Sequence, residues 1–266
     1  MIKKLPYILF FFSIFIFSQT KPAPMPSNEL AFKDGEWLRF KMSYSNFFNA
    51  GFSTIEVKEI TYKKKEAFHI IGKGKSTGLV GLFFKVRDNY QSYMYKKSLK
   101  PFLFIRKINE GGYTKNKEIT FDHDSKEAIV KNYKHNTVKK YPISDDIQDM
   151  LSALYYLRNK NLSNLRIGNE IEIKLFFDQE INNFKLRFLG KEIIRTKFGK
   201  VKALKFRPIV QKGRVFKAEE SVTVWVTDDE NKIPIKIKAA LAVGSLRADL
   251  DSFKGLAHPF NIIFDN

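Results

Sequence analysis

Residues Ser144 to Lys160 read SDDIQDMLSALYYLRNK, and this stretch decides the fold because it holds the one convincing amphipathic helix of the chain. Its apolar residues recur at the three-and-four spacing of a helix that buries one face. The positions in this rhythm are Ile147, Met150, Leu151, Leu154, Leu157 and Arg158. Asp145 with Gln148 three residues later predicts a capping-box start, and Arg158 and Lys160 lie at the negative end of the helix dipole.

On both sides of this helix the polar and apolar residues alternate with a period of two, which is typical of half-buried strands. In the first such run, Leu38, Phe40, Met42 and Tyr44 alternate with polar residues. About a dozen short strands separated by turn signals follow along the chain. An apolar helix face needs a partner, and the sheet is the one available. We therefore expect residues 31–266 to form a single all-β domain, mainly antiparallel: a curved sheet or partly closed β-barrel with one amphipathic α-helix packed on it.

Composition supports a β-rich protein and excludes thiol chemistry. The chain has 266 residues, of which 26 are Phe and 11 are Tyr, and aromatic side chains fit the pleated surface of a sheet. It contains no cysteine, which excludes disulfides, a thiol nucleophile and a thiolate metal site. The formal net charge is +19, so the exterior is strongly basic.

The N-terminus predicts export. Lys3 and Lys4 precede an apolar run that is too short to span a bilayer, and Ser18 follows that run, so residues 1–18 read as a secretory signal peptide cut near Ser18. The alternative is an uncleaved N-terminal anchor. Residues 19–30 are rich in proline and read as an extended leader. We expect a periplasmic or otherwise exported protein without a lipid anchor, since the lipid would need a cysteine.

Several motifs together resemble an exported bacterial family, domain of unknown function 3108. They are Gly35-Glu36, Asp146–Arg158 (DIQDMLSALYYLR), Glu192–Thr196 (EIIRT) with Gly199 and Ala203, Val224–Asp229 (VWVTDD) and Ile233–Ile235 (IPI). The resemblance implies an envelope location in Gram-negative bacteria, a mostly antiparallel β architecture and no established activity, and it supplies no catalytic residues. A curved sheet with a helix against it is also similar, by fold analogy alone, to periplasmic carriers of lipoproteins with a half-barrel fold.

One stretch matches a hydrolase motif by its letters. Gly74–Gly78 reads GKSTG, the pattern of the nucleophile elbow, which needs a strand, a tight turn and a helix to expose its serine. We expect no helix after Ser76, because the following run contains a glycine and leads into another alternating strand. A hydrolase is therefore the third choice of function.

The sequence offers no convincing metal or cofactor site. None of the four histidines lies two or four residues from another, so no local metal pair exists. Asp122, His123 and Asp124 form the best cluster, but these residue types are also good turn formers. Asp145, Asp146 and Asp149 are explained by helix capping rather than by acid–base catalysis. We predict neither a metal nor a cofactor.

The apolar run Gly78–Phe84 (GLVGLFF) is bounded by glycine and lies between strands. A mobile apolar loop of this kind can line the rim of a hydrophobic cavity or touch a membrane or a partner. The alternative is a buried strand or a tight turn that feeds the core. On the first interpretation Leu82, Phe83 and Phe84 form the rim of a cavity, and Phe40 and Met42 are candidates for its wall.

These observations lead to a ranked set of functions. The first is a non-catalytic envelope protein that binds or carries an apolar or amphiphilic ligand, such as a lipid, in the curved sheet. The alternative is an interaction protein whose spread lysines, as in Lys63–Lys65 and Lys139-Lys140, dock on polyanionic envelope material. Lysine outnumbers arginine and an exported protein rarely meets nucleic acid, so we expect no nucleic-acid partner. The pattern carries no sign of the oligomeric state.

Overall fold

The computed structural model describes residues 29–45, 48–209 and 221–264. The predicted signal peptide, residues 1–18, and residues 19–28 of the predicted leader lie outside this part. Within it, no helix is long and apolar enough to cross a membrane.

Fourteen strands and two helices make up the described chain. The first half contains β1 (Trp37–Tyr44), β2 (Phe48–Tyr62), β3 (Lys65–Ser76), α1 (Gly78–Phe83), β4 (Arg87–Tyr95), β5 (Pro101–Glu110), β6 (Tyr113–Asp122), β7 (Glu127–Asn132) and β8 (Thr137–Pro142). The second half contains α2 (Met150–Arg158), β9 (Glu170–Phe177), β10 (Glu180–Thr196), β11 (Gly199–Ile209), β12 (Val222–Thr227), β13 (Pro234–Ala240) and β14 (Ser245–Lys254).

All fourteen strands belong to one antiparallel sheet, in the order β8-β7-β6-β5-β4-β3-β2-β1-β14-β13-β12-β11-β10-β9. Most neighbours are consecutive in the chain and form a meander. The exception lies in the middle, where the first strand pairs with the last, from Trp37 opposite Lys254 to Tyr44 opposite Leu246. The predicted mainly antiparallel β architecture is thus confirmed.

The two edge strands, β8 and β9, meet through side chains. The Tyr141 hydroxyl donates a hydrogen bond of 2.5 Å to Gln179 Oε1, and the Tyr141 and Phe176 rings lie 5.9 Å apart. The backbone edge of β9 is covered by Gln148, whose N–H donates to the Lys174 carbonyl and whose carbonyl accepts from the Phe176 N–H. Covering an edge strand keeps its free backbone groups from pairing with another chain. The sheet therefore curls on itself, with a seam between β8 and β9.

α2 begins later than the sequence predicts. Its N-cap is Asp149, which accepts the N–H groups of Leu151 and Ser152, while the Ser152 hydroxyl accepts the Asp149 N–H in a capping box. The predicted start at Asp145 with Gln148 is wrong because Gln148 is extended and hydrogen-bonded to β9. For the same reason the Met150 side chain, expected in the buried stripe, is 43% exposed.

The core is filled by the side chains of the chain itself. α2 packs Tyr155 on Phe32 and Phe68 of the first half, with Leu154 at the margin of the same cluster. A second cluster joins β5, β6 and β7 to Phe176 of β9. A third fills the space between β1, β14 and the strands β10 to β13. These clusters leave the helix side of the sheet packed rather than hollow.

A fully buried ion pair fixes the end of α2. The Arg158 guanidinium makes two hydrogen bonds to the Glu36 carboxylate, at 2.6 and 2.7 Å, and both side chains are at most 2% exposed. Arg158 also donates to the carbonyls of Ala31 and Asn231, each at 2.8 Å. The Tyr155 hydroxyl donates to Glu36 at 3.0 Å. Each nitrogen of the guanidinium and each oxygen of the carboxylate therefore has a partner, as a buried charge requires.

We expect Arg158→Met to destabilise the protein by roughly 3–5 kcal/mol, because it leaves the Glu36 carboxylate buried without its cation. Chemical denaturation monitored by circular dichroism measures the change. The matched control is Lys96→Met, which breaks the exposed ion pair with Glu59 and should have little effect. Equal unfolding midpoints for the two variants would contradict a structural role for the buried pair.

Asp149 should make the stability depend on pH. Burial raises the pKa of Asp149 from its ordinary 3.8 to about 6, despite hydrogen bonds from Ser92, Leu151 and Ser152 that oppose the shift. Between these values the folded state holds a proton that the unfolded state has released, so this residue's contribution to stability falls as pH rises from about 4 to about 6.

Asp149→Asn removes this titration and keeps an oxygen for the cap. We expect the free energy of unfolding of the variant, minus that of the parent, to increase between pH 4 and pH 6 by up to about 3 kcal/mol. Urea unfolding at several pH values measures it. A difference that is constant across this range would show that Asp149 does not titrate there.

Candidate functional site

In an antiparallel sheet, alternate connections lie at the same end of the strands. The described connections after β1, β3, β5, β7, β9 and β13 all lie at one end of the strands. We call this end the α1 edge, because α1 lies in the connection from β3 to β4. α2 and the connections after β2, β4, β6, β10 and β12 lie at the opposite edge, which we call the α2 edge.

The α1 edge carries a group of exposed apolar side chains, which we call the apolar patch. Its members are Phe48, Leu79, Leu82, Phe83 and Phe84. Leu82 is 79% exposed and Phe83 is 88% exposed, and α1 has no buried residue. Large contiguous apolar groups on a surface usually mark a site of interaction rather than a neutral exterior.

α1 is fixed at both ends, and a glycine takes part at each end. Gly78 has a φ of +60°, in the left-handed region that glycine tolerates, and the Thr77 N–H before it donates to the Ala50 carbonyl. At the other end the Phe84 ring lies on Gly111, where an added Cβ would come within 2.4 Å of the ring. The short helix is therefore anchored at both ends while the side chains between them point to solvent.

The structure separates the five predicted site residues into two groups. Leu82, Phe83 and Phe84 lie at the α1 edge, where the sequence predicted the rim of a cavity. Leu82 and Phe83 belong to the helix α1 and Phe84 is its C-cap, so this segment is not the predicted loop. Phe40 is 4% exposed in the core cluster between β1 and β14, and Met42 packs against that cluster. The five residues therefore do not share one surface, and ligand contact by any of them stays a prediction.

The expectation that no helix follows Ser76 is wrong, because α1 begins at Gly78. The serine is nevertheless not built as a nucleophile. Its hydroxyl accepts the Val86 N–H at 2.8 Å, and no histidine of the described chain is recorded as hydrogen-bonding to it. The order strand, turn and helix is present, but the proton acceptor that activates such a serine is lacking among the described residues.

The surroundings of the apolar patch are basic. From Ala67 to Arg87 the chain contains no acidic residue, and its cations Lys73, Lys75, Lys85 and Arg87 are exposed. Lys75 and Arg87 pair across β3 and β4 next to α1. Apolar and cationic side chains therefore lie side by side on this part of the edge.

A second polar feature lies further along the inner face of β5 and β6, which we call the basic cluster: Arg106, Lys115 and Lys117. The Asp178 carboxylate of the β9–β10 turn accepts hydrogen bonds from Arg106 at 2.7 Å and from Lys115 at 2.9 Å. The Lys117 ammonium lies 4.0 Å from the same carboxylate. The guanidinium also lies 4.5 Å from the centre of the Phe177 ring. These cations lower the pKa of Asp178 despite the burial that opposes them. The cluster joins β9 to the first half of the sheet.

Asp88 and Glu110 lie between α1 and the basic cluster. Burial raises the pKa of Asp88 to about 6, with Glu110 adding to the shift and the Asn109 N–H opposing it. The pair balances part of the charge of Arg106, so the inner face is closer to neutral than the outer edge.

Two cavities of the described chain lie away from α1. One of about 240 Å³ lies in the seam, and its walls are Val130, Asn132, His135, Thr137, Lys139, Tyr141 and Gln179. One of about 430 Å³ lies at the α2 edge, and its walls are Lys65, Glu66, Tyr95, Lys96, Lys97 and Ser98. Neither includes Phe40, Met42 or a residue of α1, so neither is the apolar cavity that the sequence suggested.

Three of the four histidines make structural contacts. His69 hydrogen-bonds Gln91 and stacks on Tyr93, His123 contacts the Pro101 carbonyl, and His258 contacts the Leu30 carbonyl. Across the described residues, no three His, Asp or Glu side chains come together as metal ligands would.

Comparison with known proteins connects the chain to one family and one fold. The sequence profile described as "Protein of unknown function (DUF3108)" matches residues 39–251. The crystal structure of a β-barrel-like protein of domain of unknown function DUF1849 from Brucella abortus is similar, with a TM-score of 0.56 at 10% identity, covering 84% of this chain and 98% of that one. At this identity the likeness concerns the fold alone.

Two further solved structures are more distant. A protein from Bacteroides fragilis described as exported, with a YmcC-like fold, has a TM-score of 0.32 at 9% identity, covering 85% of this chain and 98% of that one. A protein from Parabacteroides distasonis described as a lipoprotein has a TM-score of 0.33 at 12% identity, covering 86% of this chain and 100% of that one. No curated protein matches the sequence significantly.

Proposed function

Since the chain belongs to the DUF3108 family of proteins of unknown function, which fixes no activity, we propose from its own surface that it is an exported envelope protein that binds an amphiphile at the α1 edge. The observation that carries the proposal is the apolar patch, whose side chains face water on a helix anchored at both ends. The residues that bind are Leu82 and Phe83, with Phe84 and Phe48 beside them.

The physical reason is the free-energy cost of exposing the apolar patch to water. Covering apolar surface contributes about 25 cal/mol for each Å² removed from water, so an acyl chain laid along Leu82 and Phe83 gains several kcal/mol before the costs of ordering. The interior of the sheet is filled, which favours a ligand held at the edge over one enclosed in the curved sheet. The wall role for Phe40 and Met42 is the weaker part of the proposal.

The cations beside the patch suit the polar end of an amphiphile. Lys85 and Arg87 follow the apolar run directly, and both are exposed. A chain lying on α1 would bring a carboxylate or phosphate within reach of these side chains, and charge-assisted hydrogen bonds of this type are stronger than neutral ones. The ligand class supported best is therefore an anionic amphiphile.

Export is supported by the sequence before the described residues. Lys3 and Lys4, the apolar run after them and the small residue Ser18 have the pattern of a secretory signal peptide. A periplasmic position would bring the α1 edge close to membranes and to the lipids that move between them. Mass measurement of the N-terminus of the exported protein tests this step.

A polyanion-binding function is the second candidate. It is favoured by Lys139 and Lys140, which lie on the exposed edge strand β8. Lysines on an edge strand also protect it from pairing with other chains, and Lys140 is already in an ion pair with Glu127. The amphiphile proposal explains the apolar patch, and the polyanion proposal does not.

We expect the double variant Leu82→Ser/Phe83→Ser to weaken binding of a fluorescent fatty-acid probe at least about tenfold, because it removes the two most exposed apolar side chains of α1. Titration of the probe by fluorescence measures it. Both side chains are exposed, so the unfolding midpoint should change little.

The matched control is Ile167→Ser. Ile167 is 75% exposed, but it precedes β9 at the α2 edge. This variant should bind the probe like the parent. Equal loss in both variants, or a parent that takes up no probe, would rule out amphiphile binding at the α1 edge.

A further inference from the structure

We propose that the α1 edge docks on a bilayer surface with anionic headgroups, with α1 inserted into the interface and the strands standing away from it; this inference rests on the proposed function and names the partner of the same edge. The occupant is a lipid surface rather than a protein, because the exposed apolar side chains are distributed over the described connections of this edge and cations accompany them.

The distribution of exposed apolar side chains is the first observation. The described chain exposes fourteen large apolar side chains, and ten of them lie at the α1 edge by their position in the sheet. They are Phe48, Leu79, Leu82, Phe83, Phe84, Tyr113, Tyr133, Val138, Ile181 and Val243. These ten come from six different connections and the strand ends beside them. A single bound ligand would contact the side chains of one connection, whereas a flat membrane surface would contact the side chains of all of them.

The tyrosines fit the same surface. Tyr113 and Tyr133 are each 54% exposed, and Lys134 lies 5.8 Å from the Tyr113 ring centre. Tyrosine is enriched where membranes meet water, because its ring is apolar and its hydroxyl remains wet. Tyr113 and Lys134, next to α1, therefore suit the headgroup layer of a membrane.

The cations beside α1 are the second observation. α1 lies in the acid-free run from Ala67 to Arg87, whose exposed cations are Lys73, Lys75, Lys85 and Arg87. Acids at the α1 edge are Asp88, Glu110 and Glu180 in the strand ends and Asp178, which pairs with Arg106 and Lys115. At the α2 edge, acids occur in the connections after β6, β8 and β12, and lysines occur in those after β2 and β4.

The cations beside the apolar patch set the orientation. An anionic surface attracts basic residues close to it with about 1 kcal/mol each, and the attraction fades within a Debye length of about 10 Å. Lys73, Lys75, Lys85 and Arg87 would therefore hold the exposed side chains of α1 against such a membrane. Apolar burial and charge then act in the same direction, as in other interfacial segments.

The test uses the exported protein purified from an envelope fraction and vesicles of either phosphatidylglycerol or phosphatidylcholine. We expect flotation with the phosphatidylglycerol vesicles, little with phosphatidylcholine, and weakening at high salt. Lys75→Gln/Lys85→Gln should weaken binding about fivefold for each lysine. Leu82→Ser/Phe83→Ser should weaken it at least about tenfold, and Ile167→Ser should not.

Insertion can be read at single sites because the chain has no cysteine of its own. Phe83→Cys labelled with an environment-sensitive dye should brighten and shift to shorter wavelength on phosphatidylglycerol vesicles. The same label on Ile167→Cys, at the opposite edge, should not change. A shift at both sites or at neither would overturn the docking orientation.

The outcomes separate this inference from the proposed function. A parent that binds the fatty-acid probe but not the vesicles would overturn docking and leave amphiphile binding intact. A parent that binds neither would overturn both. Vesicle binding that survives in Leu82→Ser/Phe83→Ser would show that charge alone holds the protein on the surface and would overturn insertion of α1.

Discussion

The buried ion pair between Glu36 and Arg158 is the contact on which the arrangement of this fold depends. It joins the start of β1, the end of α2 and, through Asn231, the connection from β12 to β13 and the chain near His258. These segments are far apart in sequence. Taking two charges out of water is costly, and the pair is tolerable because two hydrogen bonds and three further polar partners compensate it. Its geometry determines where the helix ends against the sheet.

The two edges of the sheet consequently differ in kind. At the α2 edge, the carboxylates of Glu36 and Asp149 are buried with hydrogen-bond partners, and α2 covers an apolar cluster. At the α1 edge, α1 leaves its side chains in water. A protein that needed only stability would bury Leu82 and Phe83. On the proposed function, stability and interaction would be assigned to opposite ends of the same strands.

The sequence was sufficient for the fold class, because a period of two is a local signal. It left open whether the run Gly78–Phe84 is exposed or buried, since a bounded apolar stretch does not show whether its side chains meet water. It missed the start of α2, since the pairing of Gln148 with β9 is a tertiary contact that overrides the capping signal at Asp145. It also missed the partner of Glu36, although Glu36 and Arg158 both lie in the motifs that resemble the family; an unmatched arginine in an apolar stripe was the available signal. The filled core around Phe40 could not be read from alternation, which shows which face is covered but not how tightly.

The pairing of β1 with β14 has a consequence for how the protein reaches its folded state. The centre of the sheet is made from the first strand and the last, with Trp37 opposite Lys254. Contacts between residues so far apart close a long loop and are slow to form. The hairpins of each half can assemble early, but the centre of the sheet cannot close until β14 has been made. A polypeptide emerging N-terminus first would therefore expose the free edge of β1 until then, which makes this the interval in which it is most open to aggregation.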